Sequence, residues 1–310
     1  EGPEAASPPP GRRARLPRAS ASPPPAPAPQ RDDDVLPDSL LDSVVKAADA
    51  THEAVMAGSG RNLVELFVPE LWDPISGNLM AEAGDQQRVW ELTREFNEQL
   101  GSRLAGAGGG ASGVLAVYPD AGCAAMLKNR WRDATFGFAS LNDRSPMAQA
   151  ECAPEDLRAL VLCCPDPPGA EAAQQLTRAA NEIGVPVVMV NPRLASGDAG
   201  IGVTVRRMRT EYVGSFEVTY SLRQFGDGSV FKRFGADWKV FVPDEEALEE
   251  GRYKLVSQTP VRPEGEGLEN ILEASLRPVG EDGKIVENDP MRNLSRTIGS
   301  MQRFMRSLTR

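Results

Sequence analysis

The chain has 310 residues, of which 41% are hydrophobic, and a formal net charge of −10. Residues 1–35 carry five arginines and five acids, whereas residues 290–310 carry five arginines and no acid. The stretch between them therefore holds a net charge of −15. Because a stretch with this much negative charge repels nucleic-acid phosphates, we expect no nucleic-acid partner. No apolar run approaches the ~18 residues of a membrane span.

Residues 1–35 are predicted to form a disordered tail rich in proline, alanine and arginine. Between Ala5 and Gln30 there are four arginines and no acid. Acid-poor segments with arginine and serine are typical of organelle transit peptides, so we interpret the tail as a transit-peptide remnant. The alternative is a low-complexity linker, and proline at this density excludes a helix in either case.

Ordered structure is predicted from residue 36, where Asp38 or Ser39 caps a helix that stops at Gly58. A mostly buried strand follows at residues 61–69, and a second helix at about residues 85–100.

Three short, nearly continuous apolar runs predict strands of a parallel core at residues 114–118, 160–164 and 187–190. A helix at residues 170–183 joins the second strand to the third, which makes a βαβ unit. A weaker strand is predicted at residues 135–141. The pattern indicates an α/β fold with a Rossmann-like three-layer core and a largely parallel sheet.

The pattern changes after residue 205, where short strands alternate with glycine-containing turns and an acidic loop. They predict an antiparallel meander at residues 217–225, 230–234, 239–242 and 253–257. A helix at residues 267–275 closes it. No linker precedes the meander, so we expect one α/β domain over residues 36–276, followed by a linker at 277–289.

Residues 290–310 are predicted to form a basic amphipathic helix, since Asp289-Pro290 is a typical helix start. Its apolar face comprises Met291, Leu294, Ile298, Met301, Phe304, Met305 and Leu308. The opposite face carries Arg292, Arg296, Arg303, Arg306 and Arg310. Three alternatives remain open: docking on the chain's own acidic body, binding a partner protein, or lying on an anionic membrane surface.

Residues for catalysis are sparse. The only histidine, His52, falls inside the first predicted helix, and neither a GxGxxG nor a GxxxxGK[ST] phosphate fingerprint is present. None of the four cysteines forms a CxxC pair, and the adjacent Cys163 and Cys164 are predicted to be buried free thiols. We therefore expect no catalytic constellation, no metal site and no cofactor.

One candidate ligand crevice remains, because ligands of doubly wound sheets bind beyond the carboxyl ends of the strands. Those ends carry Asp120, Asp166, Asn191 and Arg193. A small polar or phosphorylated ligand would suit them. The alternative, which we favour, is that the Pro-Asp and Asn-Pro pairs are ordinary turn chemistry.

Several segments together resemble one family. They are residues 60–71, 117–120 with Trp131 downstream, 188–192, 216–220, 231–234 and 237–240. In order and spacing they are similar to a plant, algal and cyanobacterial domain-of-unknown-function family. That family includes the Low PSII Accumulation photosystem II assembly factor and the C-terminal module of a plastid adenylate-kinase-like protein.

The resemblance implies a plastid protein of photosynthetic cells, and the family has no agreed catalytic residues to carry over. We therefore expect a non-enzymatic accessory or assembly protein in the chloroplast stroma, peripheral on thylakoids. Its partner would be a thylakoid membrane protein complex or its assembly factors. A small-ligand or nucleotide-phosphate-binding regulatory module is the alternative.

Overall fold

The computed structural model describes residues 34–67, 85–105, 113–150, 152–194, 207–225, 228–244 and 252–276. The helices among them are α1 (Leu40–Met56), α2 (Asp85–Ala105), α3 (Ala121–Arg130), α4 (Ala170–Glu182) and α5 (Gly265–Leu276). The strands are β1 (Arg61–Phe67), β2 (Val114–Tyr118), β3 (Gly137–Ser140), β4 (Ala159–Cys163), β5 (Val187–Val190), β6 (Glu217–Phe225), β7 (Gly228–Arg233), β8 (Trp238–Pro243) and β9 (Tyr253–Thr259).

The strands form one nine-stranded sheet in the order β3-β2-β4-β5-β1-β6-β7-β8-β9. Strands β1 to β6 run parallel, and β7, β8 and β9 continue the sheet as antiparallel strands. The predicted α/β class, with a largely parallel core and an antiparallel extension, is confirmed. Strand β6, predicted as the first meander strand, pairs antiparallel with β7 and also parallel with β1, so it joins the two parts of the sheet.

Alternating residues of the parallel strands pack into two separate cores. In β2, Val114, Ala116 and Tyr118 face the core shared with α1, α2 and α3. Leu115 and Val117 face the opposite core, which α4 covers. We call these the first and the second face of the sheet. Burial on both faces explains why the strand sequences are continuous apolar runs, and the helices on both sides make the three layers.

Helix α1 begins as its sequence indicates, because the Ser39 hydroxyl accepts a hydrogen bond from the Asp42 backbone N–H at 3.0 Å. Helix α3 was not predicted. Only Ala124 and Leu127 of its ten residues are buried, so it lacks a strong apolar stripe.

Several predictions fall outside the described residues: the N-terminal tail, the linker at 277–289 and the helix at 290–310. No helix in the described part of the chain is long and apolar enough to cross a membrane.

Candidate functional site

The structure places all four residues of the predicted crevice at one edge of the sheet. They follow β2, β4 and β5, which are neighbours in the sheet and parallel. The chain leaves β2 toward α3 on the first face, and it leaves β4 toward α4 on the second face. This divergence is a topological switch point, where doubly wound folds bind ligands.

The two aspartates at this edge cap local turns. Asp120 Oδ1 accepts a hydrogen bond from the Cys123 N–H at 2.8 Å and so caps α3. Asp166 Oδ1 accepts from the Gly169 N–H at 3.2 Å. These are the hydrogen bonds expected of aspartates in turns.

Asn191 is fully buried, and its side-chain amide is occupied by β1. Its Oδ1 accepts from the Leu66 N–H at 2.6 Å, and its Nδ2 donates to the Leu66 carbonyl at 3.1 Å. Asn191 and Cys164 are the non-glycine residues with positive φ among those described, at 44° and 50°. Both come directly after neighbouring strands, so the left-handed conformation turns the chain sharply at this edge.

Arg193 supplies a cation at this edge. Its backbone N–H donates to the Pro165 carbonyl at 2.9 Å, which ties the end of β5 to the end of β4. Burial raises the pKa of the Cys164 thiol well above its ordinary value, and the nearby Arg193 charge opposes that shift.

A buried polar cluster lies beneath the edge on the first face. Asn97 Nδ2 donates to Cys163 Sγ at 3.5 Å, while Asn97 Oδ1 is buried without a hydrogen-bond partner among the described residues. Burial raises the pKa of the Cys163 thiol to about 12, so this thiol stays protonated at neutral pH and is a poor nucleophile. The prediction that Cys163 and Cys164 are buried free thiols is confirmed.

Histidine and metal-ligand chemistry provide no second site among the described residues. His52 lies half-buried on α1. No group of three or more histidine, cysteine, aspartate or glutamate residues in the described part is placed to hold a metal ion. A cavity of about 870 Å³ opens at the other edge of the sheet, between the ends of α1, α2 and α4.

Sequence reasoning missed a charged network on the second face of β1 and β6. The Glu65 carboxylate, on a residue 7% exposed, accepts from the Ser221 hydroxyl at 2.8 Å and pairs with Arg262 at 2.9 Å. The Arg223 guanidinium packs over the Phe67 ring, and burial followed by the nearby Arg262 charge lowers its pKa. The sequence signal that could have indicated this network is Glu65, an acidic residue within a strand predicted to be mostly buried.

The family model described as "Domain of unknown function (DUF1995)" matches residues 37–270. The chain belongs to this family. No curated protein sequence and no solved structure matches the chain significantly. The DUF1995 match spans the crevice residues and the Glu65 network, whereas the predicted helix at 290–310 lies beyond it.

Proposed function

We propose that this DUF1995 protein is a non-enzymatic accessory or assembly protein of the chloroplast that works through contacts with other proteins or the thylakoid surface. The observation that carries the proposal is that the side chains at the carboxyl ends of the parallel strands are engaged in structural hydrogen bonds. Asp120 and Asp166 cap turns, Asn191 holds β1, and the Cys163 thiol keeps its proton. These groups stabilise the fold at the place where doubly wound enzymes hold their substrates.

The finer assignment rests on the resemblance to the Low PSII Accumulation assembly factor and to the plastid adenylate-kinase-like module. It is supported by the arginine-bearing, acid-poor tail, which has transit-peptide composition. We propose location in the stroma, peripheral on thylakoids, and a thylakoid membrane protein complex or its assembly factors as the partner. The helix predicted at 290–310 would supply one contact.

Chloroplast fractionation tests this proposal. A tagged full-length protein and a variant lacking residues 290–310 are expressed in chloroplasts, and stroma and thylakoids are separated and washed with salt. We expect the full chain in the thylakoid fraction together with subunits or assembly factors of a photosynthetic complex. A variant with Arg292, Arg296, Arg303 and Arg306 replaced by glutamine, which keeps the apolar face, separates charge from apolar contact. Recovery in stroma alone, without a co-purifying partner, contradicts the proposal.

The second candidate is a regulatory module that binds a small ligand or a nucleotide phosphate in the carboxyl-edge crevice. The observation favouring it is the position of Arg193 beside the switch point between β2 and β4. Nucleotides and sugar phosphates at millimolar concentration are then expected to raise the unfolding temperature, because binding to the folded state stabilises it. The same response in Arg193→Gln contradicts this candidate.

A further inference from the structure

We propose that a pocket on the second face, away from the carboxyl edge, binds the phosphate group of a small phosphate monoester. The pocket has a volume of about 320 Å³ and lies between α4 and a π-helical turn at Met208–Tyr212. Its lining is Arg61, Gln174, Thr177, Arg178, Arg207, Met208, Glu211 and Tyr212. Three arginines thus surround one small cavity in a chain whose net charge is −10.

Arg61, the first residue of β1, is held in place by neutral groups. Its Nε donates to Asn181 Oδ1 at 2.8 Å, and its Nη1 donates to the Ser215 hydroxyl at 2.9 Å. A guanidinium has five N–H donors, so about three of them remain for a ligand. Because neither acceptor is charged, the positive charge of Arg61 is oriented but not compensated by these contacts.

The other two arginines reach the pocket from different elements. The guanidinium of Arg178, on α4, is exposed and makes no hydrogen bond or ion pair with a described residue. Arg207 pairs with Glu211 at 3.4 Å, but both side chains are about 70% exposed, at 72% and 68%. Such an exposed pair is weak. The lining therefore holds one loosely paired carboxylate against three guanidinium groups, which leaves a positive potential for an anion.

The floor of the pocket is polar but uncharged. The Thr177 hydroxyl donates to the Ala173 carbonyl at 2.7 Å, so the Tyr212 hydroxyl must be the donor in the 2.9 Å bond between the two side chains. Burial raises the pKa of Tyr212 to about 12, so the phenol stays neutral at physiological pH. No anion on the floor competes with a bound phosphate.

The backbone next to the pocket has a rare form. Residues 208–212 make a π-helical turn. This geometry is rare in proteins overall, but where it occurs it is often at a functional site. This turn places Met208 and Tyr212 against α4, where Gln174 Nε2 donates to Met208 Sδ at 3.4 Å. The turn therefore forms one wall of the pocket.

The size and the donors select the class of ligand. A volume of 320 Å³ is at the small end of the range for small-molecule sites. Guanidinium groups match phosphate oxygens with paired, charge-assisted hydrogen bonds. A small phosphate monoester fits both properties.

The test is titration of the full chain with inorganic phosphate, and then with glucose 6-phosphate, at neutral pH and constant ionic strength set with chloride. Heteronuclear NMR gives the dissociation constant and the residues that respond. We expect saturable shifts at Arg61 and Tyr212 with both probes. In Arg178→Gln/Arg207→Gln we expect the dissociation constant to rise about tenfold or more, because two charge-assisted contacts are lost.

Matched variants decide the outcome. Arg132→Gln/Lys254→Gln removes two exposed charges elsewhere, and we expect its dissociation constant to equal that of the parent chain. Arg61→Lys keeps the positive charge but loses the paired N–H donors of the guanidinium, so we expect weaker binding of both probes. The unfolding temperature of this variant, measured in chloride alone, shows whether its fold is intact. Equal binding by the Arg178/Arg207 variant, loss of binding in Arg193→Gln instead, or no saturable response to either probe overturns the proposal.

Discussion

The side-chain amide of Asn191 pairs with the backbone of Leu66 in the way that a neighbouring strand would. It accepts from the Leu66 N–H at 2.6 Å and donates to the Leu66 carbonyl at 3.1 Å. Strand β5 ends at Val190, so its ladder to β1 is continued by a side chain. The left-handed φ of 44° at Asn191 positions this amide.

Replacing Asn191 should therefore destabilise the fold. Asn191→Ala leaves the buried Leu66 N–H and carbonyl without these partners and places alanine at positive φ, so we expect a loss of about 2–4 kcal/mol. Chemical denaturation measures it. Asn129→Ala, at an exposed position of α3, is the control and is expected to change stability by less than about 0.5 kcal/mol. Equal effects of the two substitutions would show that the hydrogen bonds between the Asn191 amide and the Leu66 backbone contribute nothing to stability.

Arg262 offers a comparison of a buried and an exposed ion pair on one side chain. It pairs with Glu65 at 2.9 Å and with Glu264 at 3.1 Å, and these carboxylate side chains are 10% and 68% exposed. Glu65→Ala should destabilise by about 3 kcal/mol, because it leaves the partly buried Arg262 guanidinium with only the exposed Glu264 carboxylate and leaves the buried Ser221 hydroxyl without its acceptor. Glu264→Ala should cost less than about 1 kcal/mol.

A double-mutant cycle on Glu65 and Arg262 isolates their interaction. We expect a coupling energy of about 1 kcal/mol or more from urea unfolding of the two single variants and the double variant. Additive effects would contradict a direct energetic pairing.

Two glycines with positive φ allow the energetic cost of a left-handed backbone to be measured apart from the cost of a steric clash. At Gly113, with φ +63°, an added Cβ would lie 2.4 Å from the Asp156 carbonyl oxygen, whereas at Gly184, with φ +77°, nothing lies within 4 Å. Gly184→Ala should destabilise by about 1 kcal/mol from the left-handed conformation alone. Gly113→Ala should destabilise by about 3 kcal/mol or more, since backbone must also move. Thermal and urea unfolding of both variants give the comparison, and equal losses would contradict the steric clash.

The buried thiol of Cys163 predicts a loss of stability in alkali. Burial raises its pKa from 9.0 to about 12. Between these pH values the folded protein holds a proton that the unfolded chain has released, so the free energy of unfolding falls as pH rises. The slope from this group is about 1.4 kcal/mol per pH unit, and stability below pH 9 is unaffected by it.

Urea unfolding from neutral pH to pH 10 measures this dependence. Cys163→Ala should be less stable at neutral pH and should lose stability less steeply above pH 9. Cys152→Ala, at a partly exposed position, is the control and should keep most of the parent slope. Parallel pH profiles for the parent and Cys163→Ala would show that this thiol does not titrate on unfolding.

Local patterns in the sequence predicted most of the secondary structure. The runs at 114–118 and 187–190 became β2 and β5 with the predicted bounds, and Ser39 caps α1 as one of the two residues predicted. Helix α3 was missed because its few buried side chains form no strong periodic stripe. For the crevice, the sequence identified residues that do meet at one edge of the sheet, because turn residues follow the ends of parallel strands. The structure shows Asp120 and Asp166 in the turn hydrogen bonds that the sequence predicted.

The sequence by itself determined the fold class, the acidic body and the positions of the strands, because these depend on composition and on neighbours within one turn or one pleat. Tertiary structure alone decided that β1 lies between β5 and β6, and that the Asn191 amide reaches Leu66. It also decided that Arg262 reaches Glu65 and that Arg61, Arg178 and Arg207 share one pocket. These contacts join residues far apart in the chain, so chain closure and packing select them, and no local periodicity encodes them.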